Sequence, residues 1–143
     1  MSFIRGLRYG FLFSAFLWVV ILLVCRSCYA EYDPKMEETY LAIILTEAAG
    51  EPFEGKVAVA ETLRNRNWRT TGFSGVQRRD LKKFIQNNSR WKSDARHALR
   101  LALAGSNVSQ GADHFENTMV YGVPKWAKGK RVVSVIGSHT FWR

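Results

Sequence analysis

The sequence predicts an α+β domain that is mostly helical and has a small antiparallel sheet near its C-terminus. Two observations lead to this class. Apolar residues recur with helical spacing from residue 33 to about residue 105, whereas short aromatic and β-branched segments separated by glycine and proline follow Gly111. The chain has 143 residues, of which 47% are hydrophobic and 23% charged, so we expect one globular domain rather than a disordered chain.

Residues 1–30 have the pattern of an export signal or a membrane anchor. Arg5 and Arg8 precede a run of fourteen residues, 11–24, that contains a single polar side chain. The run is short for a membrane-spanning helix, which needs about 20 apolar residues, so a cleaved signal is favoured over an apolar helix retained as an anchor. Either alternative carries the domain formed by residues 31–143 across the cytoplasmic membrane.

The composition of that domain leaves several partners open. From Glu31 onward the chain carries 18 basic and 12 acidic residues, a surplus that suits a polyanion such as nucleic acid, anionic lipid or peptidoglycan. Both cysteines, Cys25 and Cys28, lie upstream of this domain. A disulfide framework, a cysteine-ligated zinc and a cysteine nucleophile are therefore excluded for residues 31–143.

The first predicted helix has Asp33 as its N-cap and Pro34 in its first turn, and Gly50 is the expected stop. Glu47 falls on the apolar face of this helix, seven residues after Tyr40. A second helix is predicted from near Pro52 to about residue 66. Its charged side chains are expected to face solvent: Lys56, Glu61, Arg64 and Arg66.

A loop rich in threonine and glycine is predicted over residues 67–75, and a short helical or irregular segment follows a basic stretch at 78–83. The next long helix is expected to begin at Ser93 and to end at Gly105. The C-terminal part is predicted to form three strands, at residues 114–116, 131–135 and 140–142.

Glu47 is a candidate for a catalytic residue. A carboxyl group on an apolar face at the C-terminal end of a helix is desolvated and feels the negative end of the helix dipole, and both effects favour its protonated form. Cleavage of a glycosidic bond needs such an acid, because the leaving oxygen must receive a proton. The alternative is a buried glutamate paired with an arginine. Glu51 is a candidate second acid or substrate-orienting residue, or simply a cap of the second helix.

Metal chemistry and cofactors are not expected. Three histidines, His97, His114 and His139, lie in different predicted elements without an HExxH pattern. Aromatic residues such as Phe115 and Trp126 accumulate late in the chain, where they would either stack on sugar rings or form a small aromatic core.

Three ordered blocks, spanning about 100 residues, resemble the motifs of SleB/CwlJ-type cell-wall hydrolases. The first block, TEAAGEPFEGKVAVA at 46–60 with LRNR at 63–66, is similar to the family pattern E-A-x-G-E-P-x-x-G-x-x-A-V-A followed by N-R. The second is GADHFEN at 111–117. The third combines PKWA at 124–127 with IGSHTF at 136–141.

This resemblance implies a lysozyme-like domain that cuts peptidoglycan glycan strands between N-acetylmuramic acid and N-acetylglucosamine, often as a lytic transglycosylase. It assigns the catalytic role to Glu47, the first glutamate of the motif. Many members carry a Gln-Phe-Ser segment that has no convincing counterpart here between residues 67 and 91, where Gln77 or Lys83-Phe84 are the nearest substitutes. The residues expected to bind substrate are His114, Phe115, Glu116, Asn117, Trp126 and His139.

Three alternatives remain at this stage: lysozyme-type hydrolysis of the same bond, a peptidoglycan amidase, and a basic membrane-tethered protein that binds nucleic acid or lipid. The amidase is disfavoured because no zinc triad is recognisable, and the binding protein gives no reason for the first block. We expect a monomer, exported to the periplasm or cell wall, that binds glycan strands and no nucleic acid. It would contact the membrane only through residues 1–30, if this segment is not cleaved. The small size and apolar N-terminus resemble phage endolysins.

Overall fold

The computed structural model describes residues 32–77 and 79–143. The predicted signal or anchor, together with its apolar helix, lies outside the described residues, and the boundary after residue 30 stays a prediction. In the part of the chain that is described, no helix has both the length and the apolar character needed to cross a membrane.

The predicted α+β class is confirmed: helices come first and a three-stranded antiparallel sheet comes last. Three short 3₁₀ turns, Pro34–Met36, Ser74–Gln77 and Lys125–Ala127, join the longer elements. Among the described residues the helices are α1 (Glu37–Glu47), α2 (Phe53–Asn65), α3 (Leu81–Asn87), α4 (Ser89–Leu103) and α5 (Thr118–Tyr121), and the strands are β1 (His114–Asn117), β2 (Val132–Ile136) and β3 (His139–Trp142).

The first helix begins as predicted but ends earlier. Asp33 is the N-cap of the Pro34–Met36 turn, and its carboxylate accepts a hydrogen bond from the Lys35 N–H at 2.9 Å. The α-helix that follows stops at Glu47 rather than at Gly50, because a hydrogen-bonded turn occupies the next residues. Glu47 therefore stands at the C-terminal end of α1, where the chain changes direction.

Helix α2 is buried along most of its length. Residues 55–63 are all buried, because α1, α4 and β1 pack around this helix. The prediction that Lys56 and Glu61 face solvent is wrong for that reason. Each polar group has a partner inside: the Lys56 ammonium donates to the backbone carbonyl of Glu51 at 2.7 Å, and Glu61 accepts two backbone N–H groups.

The long helix α4 starts one turn earlier than predicted, at Ser89 rather than Ser93. Its N-cap position is held by Asn88, whose side chain makes no capping hydrogen bond, so sequence signals for a cap were a poor guide here. Most of the apolar stripe that the periodicity predicted is buried against α1 and α2: Ala95, Ala98, Leu99 and Ala102. The exception is Leu103, the last residue of α4, which was expected in the same stripe and is 43% exposed.

The sheet places the C-terminal motifs beside the helices. Its order is β1-β3-β2, and the predicted strands are confirmed to within a residue or two at each end. Phe115 lies opposite Phe141, and Asn117 lies opposite His139. Phe141 and Ala58 belong to a small buried cluster that fixes the sheet to α2. The β1 edge and the β2–β3 turn consequently lie near the end of α1.

Candidate active site

A cleft of about 480 Å³ opens where the end of α1 meets the Ser74–Gln77 turn and the sheet. It is lined by Glu47 and by all six residues predicted from the sequence to bind substrate: His114, Phe115, Glu116, Asn117, Trp126 and His139. Glu51, the candidate second acid, is not among the lining residues. The fold thus collects residues that are up to 92 positions apart along the chain.

The Glu47 carboxylate is half-buried and is held from one side. Its Oε1 accepts hydrogen bonds from the Ser74 backbone N–H at 2.9 Å and from the Ser74 hydroxyl at 2.6 Å. Its Oε2 accepts no hydrogen bond from residues 32–77 or 79–143. One oxygen therefore fixes the orientation of the group, while the other is available to a molecule in the cleft.

The position of Ser74 depends on the glycine that follows it. Gly75 lies so close to α1 that a Cβ atom on it would stand 2.9 Å from Ile43 Cα and 3.0 Å from the Ala42 carbonyl oxygen. No real side chain tolerates such distances, so only glycine lets the 3₁₀ turn rest on the helix. This contact brings Ser74 to the end of α1 and hence to Glu47.

Ser74 is the functional residue that the sequence analysis missed. Phe73 lines the cleft beside it, and Phe73-Ser74 has the same two residues as the end of the Gln-Phe-Ser segment, with Gly72 in place of the glutamine. The suggested substitute Lys83-Phe84 lies on α3 and does not line the cleft.

Glu51 connects the turn after α1 to the β2–β3 turn. Its Oε2 accepts the Ser138 backbone N–H at 3.0 Å, and its Oε1 accepts the Ser138 hydroxyl. Gly137 is required beside it, because its φ of 59° favours glycine and a Cβ atom there would overlap the Glu51 carboxylate. The expectation that Glu51 caps α2 is wrong, since Pro52 holds the N-cap position.

Two histidines of the cleft each have a carboxylate near Nδ1. The His139 Nδ1 lies 3.1 Å from Glu51 Oε1, in a buried pair, and the His114 Nδ1 lies 2.6 Å from Asp113 Oδ1, in a half-exposed pair. The Lys130 ammonium also lies 3.3 Å from the His114 Nδ1. The Nε2 of each ring has no hydrogen-bond partner among the described residues, so each ring can offer that nitrogen to a ligand in the cleft.

The other predicted contact residues divide between binding and packing. Trp126 lines the cleft and is 43% exposed, and its ring contacts His114 and Trp142 with centroids 5.3 and 5.2 Å away. Phe115 instead packs against Phe73 and Phe141, as the core interpretation expected. The Asn117 side-chain oxygen caps α5 by accepting the Val120 N–H, which leaves its amide NH₂ for a ligand.

The Arg64-Asn65 part of the first motif is structural. The Arg64 guanidinium donates to the carbonyls of Ala102 and Ser106 at 2.8 Å each, and the Asn65 amide donates to the carbonyl of Ala112 at 2.8 Å. These bonds fix the end of α4 and the start of the β1 segment relative to α2.

His97 does not join the other two histidines; it packs against Phe53 on the helical side. Within the described ranges, no three histidine, cysteine, aspartate or glutamate side chains are grouped so as to hold a metal ion.

Three carboxyl groups of the described residues have a lowered pKa: Glu51, Asp113 and Glu61. Burial raises the pKa of Glu51, but the Ser138 hydrogen bonds and the nearby His139 lower it more. Burial likewise raises the pKa of Asp113, and its contacts with His114 and Lys130 outweigh this effect. For Glu61, donors on the 106–109 loop lower the pKa by more than burial raises it. All three are therefore stabilised in their charged form.

The free energy of unfolding should consequently fall in acid. Because these pKa values are lower in the folded chain, the unfolded chain binds more protons, so the stabilisation is complete above the ordinary carboxyl pKa of about 4 and is lost as the pH falls below it. Urea unfolding followed by tryptophan fluorescence at pH 3 to 7 measures this. Glu51→Gln should show a shallower loss between pH 5 and 3 than the unmodified chain. Equal slopes for the two proteins would contradict the role given to Glu51.

The cleft combines a half-buried glutamate, which has one fixed and one free oxygen, with aromatic and amide groups, an arrangement that suits the cleavage of a carbohydrate chain. The chain belongs to the Cell Wall Hydrolase family, whose model matches residues 50–142. It is accordingly an enzyme that acts on peptidoglycan, and the family expectation is confirmed. The match begins three residues after Glu47, so the case for that residue rests on the cleft.

Two solved structures share the fold. The catalytic domain of the germination-specific lytic transglycosylase SleB from Bacillus anthracis is 21% identical with a TM-score of 0.57, covering 78% of this chain and 97% of that one. The catalytic domain of the Bacillus cereus SleB protein is 19% identical with a TM-score of 0.59, covering 79% and 93%. The expected lysozyme-like SleB fold is thereby confirmed. A comparison with curated proteins gives no match.

Proposed function

We propose that the chain is a lytic transglycosylase that cleaves the glycan strand between N-acetylmuramic acid and N-acetylglucosamine, with Glu47 as the only acid–base group of the reaction. The similar catalytic domain of SleB from Bacillus anthracis belongs to a germination-specific lytic transglycosylase, which supports the proposal. The observation that carries it is the asymmetric environment of the Glu47 carboxylate, with two donors on Oε1 and none from the described residues on Oε2.

This asymmetry decides where a proton resides. An oxygen that already accepts the Ser74 N–H and hydroxyl is a poor site for a further proton, so protonated Glu47 carries it on Oε2. Oε2 is also the oxygen free to reach the glycosidic oxygen of a bound strand. Ser74 thus acts as a positioning residue that sets both the orientation and the protonated oxygen of the acid.

The reaction then proceeds in two steps. Glu47 Oε2 donates its proton to the glycosidic oxygen, the bond from that oxygen to muramic C1 breaks, and N-acetylglucosamine leaves with a free hydroxyl. The resulting Glu47 carboxylate removes the proton from the muramic 6-hydroxyl, whose oxygen bonds to C1 and closes the anhydro ring. The acid ends protonated again, so no second carboxylate and no water are consumed.

Lysozyme-type hydrolysis is the second candidate, and Glu116 is the observation that favours it. Glu116 is half-buried on β1 and lines the same cleft as Glu47. The backbone N–H of Asn117 donates to its Oε1 at 2.9 Å, so one oxygen stays free. Hydrolysis needs a second carboxylate as nucleophile or as base for water. Glu116 suits that role better than Glu51, whose two oxygens are occupied outside the cleft.

Digestion of purified sacculi by the full chain, with mass spectrometry of the released muropeptides, tests the proposal. Anhydro-muramic ends should dominate, and Glu116→Gln should slow the reaction without abolishing it, because only Glu47 handles protons. Glu54→Gln is the matched control, since Glu54 is exposed on α2 and does not line the cleft. Products with only reducing muramic ends, and loss of activity in Glu116→Gln, would establish hydrolysis instead. Intact glycan with released peptides would point to an amidase.

The place of action follows from the substrate. Peptidoglycan lies outside the cytoplasmic membrane, so we infer that residues 31–143 are exported under the direction of residues 1–30, as the basic start and apolar run predict. The proposed partner is the glycan strand, bound by a single copy of the chain.

A further inference from the structure

A second pocket adjoins the cleft. It has a volume of about 370 Å³ and shares two lining residues with the cleft, Arg66 and His114. We call it the basic branch, and its lining is entirely polar, unlike the aromatic cleft. The remaining residues that line it are Asn65, Asn67, Arg69, Thr71 and Asp113.

The basic branch carries an excess of unpaired positive charge. Neither Arg66 nor Arg69 has a carboxylate within ion-pairing distance in the described part of the chain. The acid of the branch, Asp113, is already occupied, by His114 Nδ1 at 2.6 Å and by the Lys130 ammonium at 3.8 Å. A ligand that enters the branch therefore meets two guanidinium groups that are not paired with a carboxylate, while the Asp113 charge is offset by the nearby Lys130 ammonium. Such guanidinium groups favour carboxylate ligands.

The loop that presents these arginines is preformed. Asn67 and Trp68 both have positive φ angles, 53° and 57°, a conformation that costs a non-glycine residue about 1–2 kcal/mol. The Trp68 ring offsets this cost by packing between Tyr32 and Tyr40, with centroids 5.3 and 5.2 Å away. The loop is therefore anchored, and Asn67 and Arg69 on either side of Trp68 are exposed toward solvent.

Arg66 is also fixed in place. Its Nη2 donates to the Thr71 carbonyl at 2.6 Å, and its guanidinium lies 4.7 Å from the centre of the Phe73 ring. Phe73 precedes Ser74, the residue that holds Glu47. Arg66 consequently joins the aromatic cleft to the basic branch at a defined position.

We propose that the basic branch binds the free carboxylates of the peptide stem attached to muramic acid while the glycan strand occupies the cleft. This proposal rests on the proposed function, because it requires the sugar rings to lie beside Glu47. With the lactyl group in amide linkage to the stem, the sugar backbone is uncharged, and the nearest carboxylate is the α-carboxylate of the second stem residue, D-glutamate. Because the basic branch adjoins the cleft, it can bind a substituent of a sugar ring that is bound in the cleft.

The test exchanges one charge on each partner. The substrates are two tetrasaccharides of alternating N-acetylglucosamine and N-acetylmuramic acid. One bears L-Ala-D-Glu, with free α- and γ-carboxylates, and the other bears L-Ala-D-isoglutamine, in which the α-carboxylate is a carboxamide and the γ-carboxylate is kept. The proteins are the full chain, Arg69→Gln, and Arg100→Gln. Arg100 is the matched control because it is exposed on α4, lies outside both pockets, and has no side-chain hydrogen bond or ion pair with described residues.

The unmodified chain should prefer the free acid by about tenfold in kcat/KM, mainly through KM, since one charge-assisted hydrogen bond at an accessible site is at stake. Arg69→Gln should reduce this preference to within about twofold, and Arg100→Gln should keep it. Calorimetric binding of both tetrasaccharides to Glu47→Gln gives the same comparison without turnover. The preference should also shrink in high salt.

Three other results would contradict the proposal, and each points to a different explanation. If the unmodified chain cuts both substrates equally well, the proposed function stands and the basic branch is not a stem site. If Arg100→Gln loses the preference as fully as Arg69→Gln, overall charge explains it instead. If neither tetrasaccharide is bound or cut, the proposed function fails, and the branch assignment fails with it.

Discussion

Glu47→Gln should reduce the rate of sacculus digestion by at least about a hundredfold while leaving the fold intact. Glutamine has nearly the same shape, and its amide oxygen can still accept the Ser74 N–H and hydroxyl that now hold Oε1. It has no acidic proton to give to the glycosidic oxygen and cannot take one back from the 6-hydroxyl. The loss should therefore appear in kcat, with unfolding in urea unchanged.

Two further variants make this result specific. Glu54→Gln changes an exposed glutamate of α2 outside the cleft and should keep the full rate. Ser74→Ala removes one of the two donors to Oε1 and retains the backbone one, so its loss should be smaller than that of Glu47→Gln. Digestion by Glu47→Gln at close to the normal rate would remove Glu47 from the mechanism.

The largest effect on stability is expected for Glu61→Ala. Glu61 is fully buried in α2, and its two oxygens accept the backbone N–H groups of Val108 and Ser109 at 2.9 and 2.6 Å. Alanine would leave both donors unpaired in the interior and open a cavity, at a combined cost of about 3–5 kcal/mol. Because domains of this size are stable by roughly 5–15 kcal/mol, this loss is a substantial fraction of the free energy of unfolding.

Urea unfolding of Glu61→Ala, Glu61→Gln and Glu54→Ala distinguishes the loss of the buried acceptor from a general effect of changing a glutamate in α2. Glu61→Gln retains one carbonyl acceptor and most of the volume, so it should lose clearly less stability than Glu61→Ala. Glu54→Ala, on the exposed side of the same helix, should stay within about 0.5 kcal/mol of the unmodified chain. A free energy of unfolding for Glu61→Ala within about 1 kcal/mol of that of the unmodified chain would show that the 106–109 loop is held by other contacts.

Most of the residues that line the cleft and carry the proposal could be predicted from the sequence. Glu47 and all six expected contact residues line one cleft, because each belongs to a motif block that the resemblance could identify from local letters. Ser74 was missed because its segment lacks the glutamine that marks it. Its position depends on the approach of Gly75 to Ile43, a contact across 32 residues that no local pattern records.

Spacing along the chain suggested Glu51 as the second acid beside Glu47, whereas in the structure Glu116, and not Glu51, lines the cleft. Glu51 is four residues from Glu47, but the turn after α1 directs its carboxylate to Ser138, 87 residues away. Glu116 is 69 residues from Glu47, yet it lines the same cleft because β1 is the edge strand beside it. Sequence distance was a poor measure here, since a single turn reorients a side chain completely.

The sequence by itself determined the fold class, the approximate place of every long helix and strand, and the family of the chain. These features depend on the local periodicity of apolar residues and on ordered motif blocks, both of which can be read along the chain. Only the tertiary structure decided which polar residues are buried and which carboxylates share the cleft. Lys56 and Glu61 look solvent-facing on a helical repeat, but α2 is enclosed on several sides, and burial is a property of the neighbours rather than of the repeat.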